Sequence, residues 1–218
     1  MRRLQLVLLC FGCSVVLRAD TIYSNFGNPG SLYSPASGYG VGGTIASGGI
    51  FAQAFAFVPA VDYRLTEVDI AIEYESIGPN SALISLWNDS ASAPGTILTS
   101  WALNNLPTFG TCCAFQSLLP NGQITVLAGQ RYWIVAAANG NGSFLAWNDS
   151  NTGGLGFGTT SVNGGPFPSG GNGSPGAAFR VLGTPVPEPA TQLLVVPIFL
   201  LLGAVRGRRQ LSHLFDLR

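Results

Sequence analysis

Residues 65–75 read Leu-Thr-Glu-Val-Asp-Ile-Ala-Ile-Glu-Tyr-Glu and contain the clearest strand pattern in the chain. Apolar side chains fill one set of alternate positions: Val68, Ile70, Ile72 and Tyr74. Acidic side chains fill positions between them: Glu67, Asp69, Glu73 and Glu75. Successive side chains of a strand point to opposite faces. Residues 65–74 are therefore predicted to form one antiparallel strand, buried on its apolar face only.

Further apolar runs, bounded by Gly, Pro, Asn and Ser, extend this pattern along the chain. They are residues 20–26, 50–58, 82–87, 96–103, 122–127, 131–138, 144–147 and 177–182. Residues 131–138 are apolar after Arg131, which predicts a central strand covered on both faces. Residues 27–49 and 151–176 are predicted to be loops, and residues 88–95 a turn. Eight or nine short strands without a helical pattern predict an all-β fold, an antiparallel β-sandwich of jelly-roll type.

The acidic positions of residues 65–75 allow two interpretations. Four carboxylates on one strand face suit catalysis or calcium binding. A solvated strand face carries the same kind of residues and is the more common case. We therefore predict that these carboxylates face water, where like charges also discourage edge-to-edge association.

The tetrapeptide Trp-Asn-Asp-Ser occurs twice, at residues 87–90 and 147–150, each time where an apolar run ends. One interpretation is a pair of loops that presents aromatic rings and carboxylates to a sugar, through Trp87, Asp89, Trp147 and Asp149. The alternative is two similar turns, with each Trp in or near the core and each Asx side chain stabilising the turn. No calcium-loop pattern accompanies them, so no metal or other cofactor is expected.

Histidine and cysteine restrict the possible chemistry. The single histidine, His213, lies behind the C-terminal apolar run, so the preceding domain has no Ser-His-Asp or Cys-His mechanism. Cys112 and Cys113 are adjacent, which fits no metal-ligand spacing. A vicinal disulfide that stiffens residues 107–119 is the leading interpretation; reduced thiols and pairing between chains are the alternatives.

Charge separates the chain into three parts. Residues 20–185 contain three arginines and eight acidic residues, a net charge of −5, whereas both ends are basic. An acidic domain without a basic stripe is not expected to bind nucleic acid. The N-terminal end combines Arg2 and Arg3 with the apolar residues 4–17, the pattern of a signal peptide cleaved after Ala19.

The C-terminal end begins with Val186-Pro187-Glu188-Pro189-Ala190-Thr191 and continues as an apolar run to Val205. A basic cluster, Arg206, Arg208 and Arg209, then precedes residues 210–218. Residues 191–205 would span about 22 Å as a helix. That is short of a hydrocarbon core of about 30 Å, but the basic cluster favours a transmembrane helix that stops there. The sequence thus predicts three segments: a signal peptide (1–19), an exported β domain (20–185) and a C-terminal anchor (186–218).

The anchor closely resembles the PEP-CTERM sorting signal of Gram-negative bacteria, also known as an ice-binding-protein C-terminal domain. The resemblance implies that Pro187, Glu188 and Pro189 are recognised by an exosortase after passage through the export machinery. The exosortase would cut near this motif, so the domain would be held at the membrane first and then displayed on the surface or released.

Residues 86–90 with Pro94-Gly95, 127–133 and 178–181 resemble the "choice-of-anchor" domains that precede such signals. These domains mostly have no assigned activity, so the resemblance implies no catalytic residue. The leading hypothesis is a non-enzymatic structural or adhesive protein whose candidate ligand is an extracellular polysaccharide. A glycosidase that uses two of the carboxylates Asp69, Glu73, Glu75, Asp89 and Asp149 is the alternative. Ice binding ranks last, because no periodic Thr array is present.

Overall fold

The computed structural model describes residues 19–44 and 48–187. Nearly all of the predicted signal peptide, and the predicted anchor from Glu188 onwards, lie outside the described residues. Within the described part, none of the helices has the length and apolar character needed to cross a membrane.

The described part of the chain is all-β, as the sequence predicts, and its named strands pair antiparallel. The strands are β1 (Asp20–Ser24), β2 (Gly38–Gly42), β3 (Phe51–Phe57), β4 (Tyr63–Ile70), β5 (Ile72–Ile77), β6 (Ser81–Ser90), β7 (Ala93–Asn104), β8 (Gln116–Leu118), β9 (Thr125–Val126), β10 (Tyr132–Ala138), β11 (Phe144–Asn148), β12 (Leu155–Val162), β13 (Gly171–Pro175) and β14 (Phe179–Pro185).

These strands form two sheets. The small sheet has the order β1-β14-β4-β8, with β9 also paired to β4. The large sheet has the order β5-β11-β2-β3-β10-β6-β7, with β12 paired to β3 and β13 to β12. Strand β2 joins β3 through a single residue pair, Gly42–Phe51, whereas β3 pairs with β10 and β12 over five residues each. The β2-β11-β5 part is therefore only loosely joined to the rest of the large sheet.

One hydrophobic core is built from both sheets. The ring of Trp147 on β11 lies 5.4 Å from that of Phe55 on β3 and 5.9 Å from that of Phe179 on β14. All three side chains are almost completely buried. Full burial of a large apolar side chain contributes roughly 1.5–3 kcal/mol, so such contacts hold the two sheets together.

Strand β10 confirms the prediction of a central strand covered on both faces. Tyr132 and Ile134 point into the shared core, whereas Trp133 and Val135 point to the outer face of the large sheet. Phe157 and Phe167 pack over that outer face. All four β10 side chains are buried, which matches the nearly unbroken apolar sequence.

The prediction of one strand over residues 65–74 is wrong. The chain forms β4 in the small sheet and β5 in the large sheet, with Ala71 between them. The Ala71 amide donates to Ala178 O at 3.2 Å, and its carbonyl accepts from the Asn148 amide at 2.9 Å. The two strands separate because β4 pairs with β14 while β5 pairs with β11.

Three strands lie in segments predicted to be loops: β2, β12 and β13. Gly156 and Gly158 explain why β12 is rich in glycine, since a Cβ at either position would lie within 2.9 Å of the Phe55 ring. The predicted turn at residues 88–95 shrinks to Ala91 and Ser92, which adopt φ angles of 52° and 67°. Strand hydrogen bonding continues through the polar residues on either side of this turn.

Candidate functional site

The outer face of the large sheet carries a groove of about 500 Å³. Strands β3, β6, β7, β10 and β12 contribute to its floor, and the connection between β12 and β13, residues 163–170, forms one wall. The main lining residues are Leu83, Ser85, Trp87, Ile97, Val135 and Phe167. Residues lining the groove are apolar or neutral, and no charged side chain of the described residues is among them.

The wall is shaped by a turn directly after β12. Asn163 and Gly164 have φ angles of 54° and 70°, and the Gly165 amide donates to Val162 O at 3.1 Å. This turn directs the chain back over the sheet. As a result, the Phe167 ring lies with its centroid 6.2 Å from that of Trp87, at an interplanar angle of 74°.

Trp87 is the principal aromatic side chain of the groove. It is half-buried on the outer face of β6, and its indole N–H donates to Ser85 Oγ at 2.7 Å. Ser85, Ser100 and Ser161 also line the groove. Ser85 and Ser161 are buried, and the Ser161 hydroxyl donates to Gly165 O, whereas Ser100 is exposed. A flat aromatic ring next to neutral hydroxyl groups can contact the apolar face of a sugar and hydrogen-bond its hydroxyls.

The second Trp-Asn-Asp-Ser copy has a different environment. Trp147 is completely buried and its indole N–H donates to Ala178 O at 3.0 Å. The hypothesis that Trp147 presents a ring to a ligand is therefore wrong for the folded domain. Strand alternation is the physical reason, because Trp147 points into the core while Trp87 points away from it.

The acidic members of both copies have structural contacts. Asp89 accepts from Trp133 Nε1 at 2.8 Å and from the Ser92 amide at 3.2 Å, and Arg131 Nη1 lies 3.6 Å away. Burial raises the pKa of Asp149, although a hydrogen bond with Ser37 lowers it. Neither carboxylate lines the groove beside Trp87.

Asp69, on β4, is completely buried, so the prediction that it faces water is wrong. Its Oδ2 accepts from Arg180 Nη2 at 2.7 Å and from Arg180 Nε at 2.8 Å. Its Oδ1 accepts from Ser117 Oγ at 2.6 Å. The carboxylate is thus compensated by one cation from β14 and one hydroxyl from β8.

Glu73, on β5, is also completely buried, so the prediction of a solvated face is wrong here as well. The Tyr33 hydroxyl lies 2.9 Å from Glu73 Oε1. Oε2 accepts from the Gly110 amide at 3.0 Å and from Asn148 Nδ2 at 3.3 Å. The pKa of Glu73 is raised, and burial is the main cause. The surrounding hydrogen bonds lower this pKa but do not cancel the effect of burial. Glu67 and Glu75 are partly exposed.

Glycoside hydrolysis needs two carboxyls that face one cleft. The groove beside Trp87 has none of the candidate carboxylates of the described domain in its lining. Residues 19–44 and 48–187 also contain no group of three His, Cys, Asp or Glu side chains placed to hold a metal ion.

Cys112 and Cys113 are joined in a vicinal disulfide. Cys112 is exposed, while Cys113 packs beside Tyr33 and accepts from the Leu32 amide at 3.3 Å. The disulfide therefore lies in a segment that contacts the Glu73 site.

No protein-family model matches the chain, and no curated protein matches it. The groove and the sequence pattern at both ends are therefore the features that indicate a function.

Sequence reasoning identified Trp87 but missed Phe167, Tyr33 and Arg180. Phe167 lies in a Gly- and Pro-rich stretch whose fold-back no periodicity indicates. Tyr33 and Arg180 approach the acidic residues from 40 and 111 positions away in the chain. The one available signal for such pairs is the scarcity of arginine, because residues 20–185 contain three arginines and eight acidic residues.

Proposed function

We propose that the protein is an exported, non-enzymatic β-sandwich of jelly-roll type that binds a neutral polysaccharide through the groove beside Trp87. Its role would be structural or adhesive. The observation that carries the proposal is the groove itself, in which Trp87 and Phe167 stand beside serine hydroxyls and no charged side chain of the described domain intervenes. A neutral lining suits an uncharged sugar chain better than a phosphate or a uronic acid.

The proposed place of action is the cell surface or the extracellular matrix. Support comes from the sequence: a basic and apolar N-terminal end, an acidic middle, and Pro187-Glu188-Pro189 ahead of an apolar run and an arginine cluster. An exosortase would process this end after export, with the C-terminal helix holding the chain in the membrane until then. The intact mass of the mature protein tests sorting separately, because an unprocessed C-terminus at Arg218 would contradict it.

Binding is tested with the full-length chain on a glycan array and then by calorimetry with the best ligand. Trp87→Ala removes the flat ring and is expected to weaken binding about tenfold or more, that is by at least about 1.4 kcal/mol. Phe167→Ala should weaken it in the same direction, because the wall loses its contact with Trp87.

Leu119→Ala is the matched control, since Leu119 is 66% exposed and lies outside the groove lining. It should bind as the wild type does. Sugar binding that survives both groove substitutions, or no sugar binding at all by the wild type, would remove the polysaccharide proposal. Preferential binding of apolar ligands would also contradict it.

A further inference from the structure

The environment of the Tyr33 hydroxyl contains more acceptors than its proton can serve. Three oxygen atoms lie at hydrogen-bond distance from it: Glu73 Oε1 at 2.9 Å, Thr111 O at 2.9 Å and Ala114 O at 2.8 Å. A tyrosine hydroxyl has a single proton to donate. If Glu73 were ionised, all three oxygens would be acceptors only, and they would compete for the one proton of a buried hydroxyl.

A neutral Glu73 resolves this competition. Its Oε1–H would donate to Tyr33 Oη, and the tyrosine would then direct its own proton to the Ala114 and Thr111 carbonyls. Oε2 would be the carbonyl oxygen of the acid, which fits its two N–H donors, Gly110 and Asn148. Neither ion pair of the described residues includes Glu73, so no cation compensates a charge there.

We propose that Glu73 is protonated in the folded protein and that its proton is a pH-sensitive clamp on residues 110–114, the segment that carries the Cys112–Cys113 disulfide. The segment is fixed on both sides independently of this proton. On one side, the Phe109 amide donates to Tyr74 O at 2.9 Å. On the other side, the Phe115 ring packs against Phe26 with centroids 5.6 Å apart. Loss of the proton would therefore free the Thr111 and Ala114 carbonyls from Tyr33 and leave the ends of this short segment in place.

None of the titratable groups that surround Glu73 in the described residues is expected to produce the same pH dependence. Tyr33 and Asn148 reach it from the facing elements, and burial raises the pKa of Tyr33 well above its ordinary value, so the hydroxyl stays neutral. Glu75 lies two positions along β5, and burial is the main factor that raises its pKa. Asp149 follows Asn148 and contacts Ser37.

The sign of the pH effect follows from this arrangement. The folded state keeps a proton that the unfolded chain loses at the ordinary glutamate pKa of about 4.3. The contribution of Glu73 to stability is thus fully present below that pH and is lost as the pH rises through the raised pKa of the folded state. The clamp is closed in acid and opens towards alkaline pH.

The test uses the full-length chain labelled with carbon-13 at its glutamate carboxyls. The chain is titrated by NMR from about pH 4 to about pH 9, a range that extends well above the ordinary glutamate pKa. The Glu73 signal is assigned by its absence from Glu73→Gln. We expect it to stay at the protonated position well above the ordinary glutamate pKa. In a chain that is also labelled with carbon-13 at the backbone carbonyls, the Thr111 and Ala114 carbonyl signals should shift over the same pH range in which Glu73 titrates, because these oxygens then lose the Tyr33 proton.

Glu73→Gln retains a donor towards Tyr33 and an acceptor for the two N–H groups. It should keep the Thr111 and Ala114 carbonyl signals constant with pH and so remove the transition. Glu67→Gln, which changes a partly exposed acid on β4, should leave the transition unchanged. Titration of Glu73 at its ordinary pKa, or a transition that persists in Glu73→Gln, would overturn the proposal. If Glu73→Gln fails to fold, the Glu73 signal is assigned by elimination with Gln substitutions at the three other glutamates, Glu67, Glu75 and Glu188, and the wild-type titration then decides.

Discussion

Asp69 and Glu73 lie two positions before and two positions after Ala71, and both are completely buried, yet the protein compensates them in opposite ways. Asp69 has a cation: Arg180 places two N–H groups on its Oδ2. Glu73 is surrounded by neutral groups: a tyrosine hydroxyl, an amide side chain and a backbone N–H. One site is compatible with a carboxylate, and the other favours a carboxylic acid.

The difference arises where the chain passes from the small sheet to the large one. A strand on the surface can leave its polar face in water, but a strand that leads into a second sheet is covered on both sides around the crossing. Burial of an uncompensated charge is costly, so each acid needs either a cation or a proton. The approach of β14 provides the cation for Asp69, whereas β11 and residues 110–114 bring only dipoles to Glu73.

The largest effect is expected from Arg180→Met, which removes the cation and leaves the Asp69 charge buried. Breaking a buried pair costs about 3–5 kcal/mol, and we expect about 3 kcal/mol because 35% of the Arg180 side chain is exposed. Urea unfolding of the full-length chain measures the loss. The double variant Asp69→Asn with Arg180→Met should recover part of it.

Arg64→Met is the matched control for that experiment, since it changes an exposed arginine on β4. It should alter stability by less than about 0.5 kcal/mol. Equal effects of the two substitutions would mean that Asp69 does not depend on Arg180.

A smaller effect is expected from Tyr33→Phe, which removes the hydroxyl from the neutral site. The Thr111 and Ala114 carbonyls and Glu73 then lose their common partner, at a cost of about 2 kcal/mol. The loss should be largest in acid, where Glu73 also has a proton that needs an acceptor. Tyr63→Phe provides the comparison, because Tyr63 does not contact this site. A Tyr33→Phe protein as stable as the wild type would show that the hydroxyl is not the centre of the site.

The sequence predicted the fold well where the local pattern of apolar residues matches the burial of the strand. The apolar residues of β10 indicated a strand covered on both faces, and β10 is one. The local pattern did not predict the structure where the choice of pairing strands determines which sheet a strand joins. The apolar alternation continues past Ala71 without interruption, and the single gap in the acidic series at Ala71 does not by itself indicate a change of sheet. Gly156 and Gly158 carry no side-chain pattern at all, and their role depends on the distant Phe55 ring.

The candidate site could be predicted only in part for the same reason. Trp87 and Trp147 belong to identical tetrapeptides, and no local signal shows which ring points outwards. The way in which buried Asp69 and Glu73 are compensated depends on Arg180 and Tyr33, which are distant in sequence. A count of arginines against acids could have suggested that buried pairs exist, but not which acid would remain without a cation.

The smallest effect in this comparison is expected from Ser117→Ala, which removes the hydroxyl that donates to Asp69 Oδ1 at 2.6 Å. Arg180 contacts the other oxygen, so the charge stays compensated and only one hydrogen bond is lost, about 1 kcal/mol. Ser100→Ala, on an exposed position of β7, is the control and should be neutral in urea unfolding. If Ser117→Ala costs as much as Arg180→Met, the cation is not the dominant partner of Asp69. The two buried acids would then both depend on neutral donors, and the contrast between them would disappear.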